Sequence, residues 1–585
     1  MSVTAPASLH ASVAPPAPRA ALSAFVPRLL LASAIAAAMV LIGQALWCTF
    51  RFRDVFPFAD MVGVVWHYLA APMREFWIYH DNEHLPLAVM PLFWIDLRLF
   101  HAQGLFLIVC NVALASAIAL APAPAMRRAL GQSSWLLAAL VATSLSMQLW
   151  LAGWENLTWP KQVHMYMSLM AAVLAIGVAA SPRPRGWGHV AAAAALAGIA
   201  TFSFGYGMIA FPVVLVLGLW RGWDWRRLAA VAVAMVCCLA AYLTISAALV
   251  GQRSHLIMTY GRLENEAHYF LTFMASPAYT AVAPVLPSLY AYGLSYSLVG
   301  LGLGWLAWRI WQTRGAPPSE LLAWAAGLTL FSLLTGVQTA LGRSVFGSEQ
   351  ALESRYIVGE LPFWCGLLLL AADQKQLRTR GGQALAGSVA LAAMLLLLLS
   401  QQTALARLRV HNADRWMMAM SAIDGVSDPP AENANEWSHP GRFHQMIADL
   451  RLRGWSAFAW PQAKWIGRGL GSFGAAQKGC LGAFDALDPV GDGSGFRAQG
   501  WAADSAVRAH SAWVVMADRT GLVRGVAHGG GVRPDVSASL HAPGLLYAGW
   551  TGYLPAGAGR QGLSAWLLLG GKHPCFLGAV PPKPA

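Results

Sequence analysis

Charge is scarce in this sequence. Only 11% of its 585 residues are Asp, Glu, Lys or Arg, against 57% hydrophobic residues and a mean hydropathy of +0.50. That balance excludes a disordered chain, a coiled coil and an ordinary soluble enzyme. Lysine is scarcer still, at 6 of the 40 basic residues. Most of the Arg flank apolar runs, so the formal charge of +13 reads as membrane topology and not as a nucleic-acid surface. There is no Walker loop, no dinucleotide fingerprint and no Cys-x-x-Cys pair, which leaves ATP-driven transport and thiol redox chemistry without sequence support. Five of the seven cysteines (Cys48, Cys110, Cys237, Cys238 and Cys365) lie in or beside apolar runs, where a thiol acts as a small hydrophobe. Only Cys480 and Cys575 stand in polar sequence. They bracket a C-terminal region, and in an oxidising compartment they are expected to form a disulfide.

Long apolar runs are what the sequence has instead. Leu29 to Trp47, Leu228 to Val250 and Ala384 to Leu399 approach or exceed the roughly 20 residues a helix needs to cross hydrocarbon. A pass along the chain gives about eleven such spans, near residues 29–49, 104–122, 134–151, 163–180, 188–203, 207–220, 228–250, 286–308, 321–341, 356–372 and 383–402. The expected fold is therefore mainly α, a polytopic helical bundle. Its parts are a cytoplasmic tail (1–28), a membrane region (29–403) with an outer loop at 50–103, a helical connector (404–478) and an extracytoplasmic β-sandwich (479–585). The last assignment rests on short apolar runs, Ala512 to Ala517, Leu522 to Ala527, Gly544 to Trp550 and Leu563 to Leu569, separated by Gly-rich turns. Within 50–103, Met61 to Leu69 and Leu85 to Leu99 carry apolar residues at helical spacing, with Trp66, Trp77 and Trp94 nearby, as expected of helices in the membrane interface.

Basic residues orient the bundle. With the N-terminus inside, the five short cytoplasmic loops hold 12 Lys and Arg, from Arg127 to Arg380, while three short outer loops hold only Lys161, Arg343 and Arg355. An odd number of spans then puts everything after residue 402 outside. The surroundings this implies are membrane lipids.

Four polar clusters fall on the outer side. Asp60 follows the first span; a partly desolvated carboxyl there can serve as general base, stay a solvated loop acid or N-cap the helix that follows. His80, Asp81, Asn82, Glu83 and His84 could hold a metal or phosphate, or form an exposed turn before Pro86. Glu155 and Asn156, then Lys161, sit between apolar spans, where polar groups must pair or line a cavity. Arg355, beside Ser354 and Tyr356, can grip a phosphate with its planar fork or snorkel to lipid headgroups.

Asp60, the Asn82-Glu83-His84 run, the Trp154-Glu155-Asn156 loop and Ser354-Arg355-Tyr356 together resemble a broad group of bacterial polytopic inner-membrane proteins related to the GT-C glycosyltransferases, over roughly residues 30 to 400. The resemblance implies a polyprenyl-phosphate-linked sugar as donor and a cell-envelope glycan or lipid as acceptor, with transfer on the extracytoplasmic face. It implies Asp60 as base, Arg355 and His84 or Lys161 at the donor phosphate, and Asn82, Glu83, Glu155 and Asn156 around the substrate. Whether a divalent metal takes part stays open at this point. Asp60 has no second acid beside it in the chain. The rival expectations are a transporter or flippase of lipid-linked substrates, which would place ionisable groups inside the spans and show internal repeats, and a non-catalytic membrane scaffold.

Overall fold

A computed structural model describes residues 18–81, 84–131, 134–182, 186–250, 263–433, 440–491, 493–505, 509–510, 513–558 and 562–580. The architecture is mainly helical, with one antiparallel β-sheet at the C-terminal end. Each of the eleven apolar runs lies wholly or mostly in helix. Among the described residues, eight helices are long and apolar enough to cross a membrane, and Gly205–Trp220 is a shorter apolar segment.

The first helix, Pro18–Arg51, and the longest, Arg380–Asp424, lie side by side. A Cβ at Gly387 would come within 2.8 Å of Leu30, so glycine lets the two backbones approach closely. A glutamine ladder locks the pair: Gln401 donates to the Leu41 carbonyl (3.2 Å) and to Gln44 (2.9 Å), and Gln402 donates to Gln44 (3.2 Å). In an apolar bundle such amide bonds fix register, since an unpaired amide is costly there. Thr379 caps the long helix by accepting from the Gly382 N–H (3.1 Å), and Gly425, with φ 75°, ends it in the left-handed conformation.

Two helices in the 50–103 segment match the periodicity, as Asp60–Ala70 and Met90–Phe100. The stretch 251–285, between two of the apolar runs, contains a further helix, Leu263–Val282. Its polar start and internal Pro277 mask an inward face of Tyr269, Phe273 and Met274 that packs in the bundle.

The sheet runs β1(Cys480–Pro489), β2(Gly495–Asp504), β3(Ala509–His510), β4(Trp513–Ala517), β5(Val523–Gly531), β6(Gly549–Pro555), β7(Ser564–Leu569) and β8(His573–Ala579). Its order is β1-β2-β6-β5-β4-β7-β8, with β3 on β2 and all pairs antiparallel. This corrects the expected two-sheet sandwich: the strands form one sheet rolled toward a barrel. Bulges at Phe484/Ala486, Met516/Ala517, Gly529/Gly531 and Ala565/Trp566 supply the extra twist that curls it. The run Gly544 to Trp550 is also corrected, since Pro543–Leu545 is a 3₁₀ turn and the strand begins at Gly549. Cys480 of β1 and Cys575 of β8 form the expected disulfide and tie the two ends of the sheet together, with Cα atoms 6.2 Å apart.

The 403/404 boundary falls inside the long helix, which carries straight on to the sheet. Asp424, its last residue, accepts from the Val526 N–H (3.0 Å) on β5 and the Tyr553 N–H (3.2 Å) on β6. Asp428 takes a forked pair from Arg497 (2.9 and 2.5 Å) and the Tyr553 hydroxyl (2.5 Å). Beneath these bonds, Met61, Val62 and Phe93 share one core with Met418 and Ile423 of the long helix and Val515, Val526 and Tyr553 of the sheet. The 50–103 segment, the connector and the sheet thus fold together.

Candidate functional site

The chain leaves its first helix at Arg51 and runs as a short irregular stretch to Asp60. The Asp54 N–H donates to the Thr158 carbonyl (3.0 Å), which stitches this stretch to the Trp154–Thr158 helix. Phe58 packs against Trp159 (centroids 5.1 Å) and beneath the Arg415 guanidinium (3.7 Å). Ala59 then adopts φ 45°, a strained value for a residue with a Cβ, and this bend makes Asp60 the first residue of its helix. Asp60 is thus the first helical residue and not the N-cap, a position Ala59 takes, and its side chain is 40% exposed.

Lys161 lies behind it. It sits in the 3₁₀ turn Pro160–Gln162, ahead of the apolar helix Val163–Ala180, and its side chain is 1% exposed. Its ammonium forms an ion pair with Asp81, itself buried, and stands 3.9 Å from the Asp60 carboxylate. A buried ammonium needs paired charge, and two acids from different loops supply it. The second acid that Asp60 lacks in the chain is therefore brought in by folding.

Asp81 is held in turn. Its backbone exchanges hydrogen bonds with His84 (2.9 and 2.7 Å), and the Tyr79 hydroxyl donates to its carboxylate (3.4 Å). Burial, then the nearby Asp81 and Asp60 charges, push the Tyr79 phenol well above its usual range, so it stays a donor. His67 packs edge-on to Tyr79 (4.9 Å), and burial pushes its imidazole below the ordinary value. The His84 ring lies on Phe204 (3.9 Å), which also meets His164 (4.8 Å) and Tyr206 (4.9 Å). Gly205 makes room for this: a Cβ there would come within 2.8 Å of the His84 ring. Asn82 and Glu83 lie outside the described residues.

A second cluster forms on the other end of the same short segment. Glu155 is buried and accepts from the Ser354 hydroxyl (2.5 Å) and the Arg355 N–H (3.1 Å), while the Arg355 guanidinium stands 3.5 Å from its carboxylate. Asn156 donates to the Ser354 carbonyl (3.0 Å), and buried Asn111 donates to the carbonyls of Asn156 and Trp159 (both 3.1 Å). Arg355 keeps 31% of its side chain exposed. Asp60 and Arg355 make no direct contact. Between their clusters stand Phe58, Trp154 and His411, the last bonded to Asp54 (3.2 Å). Asp54, Phe58, Met61, Gly104 and Trp159 help line a cavity of about 20 Å³, room for one water.

The structure therefore brings together Asp60, His84 and Lys161 in one cluster and Glu155, Asn156 and Arg355 in another. Sequence reasoning missed the roles of Asp81, Tyr79, Asn111 and His411. One signal was available: Lys161 is the only lysine before residue 375 and sits between apolar runs, so it required an acid partner. Among the described residues, no three His, Cys, Asp or Glu side chains converge as metal ligands. No family model, no curated protein and no solved structure matches the chain.

Proposed function

We propose that this chain is a polytopic inner-membrane glycosyltransferase that moves a sugar from a polyprenyl-phosphate carrier to a cell-envelope acceptor on the extracytoplasmic face. The reading places about eleven helices in the bilayer, the N-terminus inside and the disulfide-bearing sheet outside, where thiols oxidise. The supporting observation is the Asp60–Lys161–Asp81 cluster, in which an accessible carboxylate at a helix start is backed by a buried cation.

In this scheme Asp60 takes the proton of the acceptor hydroxyl as the acceptor oxygen bonds to the sugar's anomeric carbon. The bond from that carbon to the phosphate oxygen breaks, and its electron pair leaves with polyprenyl phosphate. Arg355, anchored by Glu155, offers its exposed edge to the departing phosphate. Lys161 holds Asp60 and the Asp81 turn in place. The direct test is sugar transfer from a defined polyprenyl-phosphate donor by purified protein. Asp60→Asn should keep the fold and donor binding while turnover drops by about 10²- to 10⁴-fold. Undiminished transfer by folded Asp60→Asn would remove the mechanism.

A transporter or flippase of lipid-linked substrates is the second reading, and one observation favours it. The expected near-absence of ionisable groups within the spans has an exception in Glu360, fully buried in the helix Ile357–Ala372.

A further inference from the structure

Gln44 of the first helix and Gln402 of Arg380–Asp424 are hydrogen-bonded across the seam between these two helices (3.2 Å). Seven residues make close to two full turns, so a residue and its i+7 neighbour share one helix face. Seven residues beyond the two amides stand Arg51 and Arg409. The offset of 357 that joins Gln44 to Gln401 also joins Asp54 to His411, so the register holds through this level. Two guanidinium groups therefore meet over the same seam. Arg409 lies near enough to Cys48 of the first helix for its charge to act there. Arg53 joins them: burial, then the Arg51 charge, push its guanidinium below the ordinary value.

No acid answers this charge. Among the described residues, none of the three forms an ion pair with a carboxylate. Asp54, next in the chain, is turned to His411 (3.2 Å), and Asp414 feels His411 and Arg415 instead. Arg53 spends one nitrogen on the Phe50 carbonyl (2.7 Å) at the end of the first helix, and Arg409 lies over the Tyr547 ring (4.8 Å). Neither contact supplies a negative charge. Like charges gathered on one seam repel unless an anion lies among them.

The depth of the cluster indicates which anion. The two apolar runs end just below it, near residues 49 and 402. On the same helix faces beneath it, Val40 (61%), Trp47 (58%) and Leu395 (51%) are exposed, as residues that meet acyl chains would be. The guanidinium fork fits phosphate oxygens, and a phosphate at this depth belongs to a lipid headgroup.

We propose that Arg51, Arg53 and Arg409 bind the phosphate of an anionic phospholipid at the outer surface of the membrane, its chains lying along Val40, Trp47 and Leu395. The lipid screens the like charges and closes the seam between the first helix and the helix that carries the sheet. The inference rests on the membrane reading of these helices and not on sugar transfer.

The experiment uses full-length protein, delipidated in a neutral detergent. Phosphatidylglycerol, phosphatidylcholine, polyprenyl phosphate and inorganic phosphate are added separately; retention is read by native mass spectrometry and stability by thermal unfolding. One phosphatidylglycerol should be retained per chain, with a saturable rise in Tm, and phosphatidylcholine should give neither signal. Arg51→Gln combined with Arg409→Gln should weaken the apparent affinity by about tenfold or more. Arg409→Gln alone should give a partial loss, which keeps the test decisive if the double variant fails to fold. Arg407 is exposed at the same depth but lies about 200° round the helix from Arg409, so Arg407→Gln should leave binding unchanged. An equal loss in Arg407→Gln would reduce the effect to general surface charge and overturn the proposal. So would phosphatidylcholine matching phosphatidylglycerol, inorganic phosphate acting as strongly, or polyprenyl phosphate retained while phosphatidylglycerol is ignored. None of these readouts needs transferase activity, so their failure would leave the Asp60 reading untouched.

Discussion

Lys161 and Asp81, 80 residues apart in the chain, form an ion pair in which the two side chains are 1% and 5% exposed. This pair pins Asp81, and the His84 backbone bonded to it, against the head of the Val163–Ala180 helix and holds Asp60 at the edge of the same charge.

Removing one partner should be much worse than removing both. Lys161→Met leaves Asp81 buried without a counter-charge, a defect worth about 3–5 kcal/mol. The double variant Lys161→Met with Asp81→Asn should regain most of that stability in unfolding measurements. It should not regain transfer activity, because the cation beside Asp60 is still missing. Full activity in the double variant would show that the pair serves folding alone.

Arg355→Ala should raise the donor KM more than it lowers kcat, and Arg355→Lys should recover only part of the loss because it lacks the planar fork. Glu155 keeps its bonds from the Ser354 hydroxyl and the residue-355 N–H in both variants, so the fold should hold. Unchanged donor binding in Arg355→Ala would place the phosphate elsewhere.

Asp96 gives a pH signature. It is fully buried, receives one bond from the Gly104 N–H (3.3 Å), and burial pushes its carboxyl up to about 7 from an ordinary 3.8. Between those values the unfolded chain has lost this proton while the folded one keeps it. Folding stability should therefore fall as pH rises from about 4 to 7, by at most about 1.4 kcal/mol per pH unit, and level off above. Asp96→Asn should flatten that slope when unfolding is measured at several pH values. An identical slope in the variant would assign it to other groups.

Reporter fusions test the orientation. A reporter at residue 375 and one at the C-terminal end should report opposite compartments, because the short loops divide their basic residues 12 to 3. Agreement between the two would overturn the odd helix count.

Reduction of Cys480–Cys575 should destabilise the sheet. Closing a loop of 95 residues restricts the unfolded chain by about 4.7 kcal/mol in the entropy model, with strain lowering the gain. Cys480→Ala should lower the unfolding temperature, and reductant should do the same to wild type but not to the variant.

The helices were legible because apolar length is a one-dimensional property, readable without knowing any neighbour. The sheet was harder. β2, with the sequence GFRAQGWAAD, has no β-branched residue and many small ones, so it lacks the usual strand signal and draws its stability from its partners. Leu263–Val282 was missed because Glu264, Glu266 and Pro277 dilute its hydropathy. Within the site, Asp60, Lys161, Glu155 and Arg355 could be singled out by their cost in apolar surroundings. Which acid meets which base depends on the folded path of the chain; Arg355 turned to Glu155, and Lys161 to Asp81.

The helix Arg380–Asp424 has 45 residues, about 67 Å at 1.5 Å per residue. A hydrocarbon layer about 30 Å thick accounts for less than half of it. The remainder is a mast that passes Asp54 and Phe58 at His411 and Arg415 and meets the sheet at Asp424, about 20 Å beyond His411. The sheet cannot tilt or lift without moving the two side chains that brace Asp54 and Phe58. On the proposed glycosyltransferase reading, a bulky glycan pressing on the sheet would be felt at the foot of the mast.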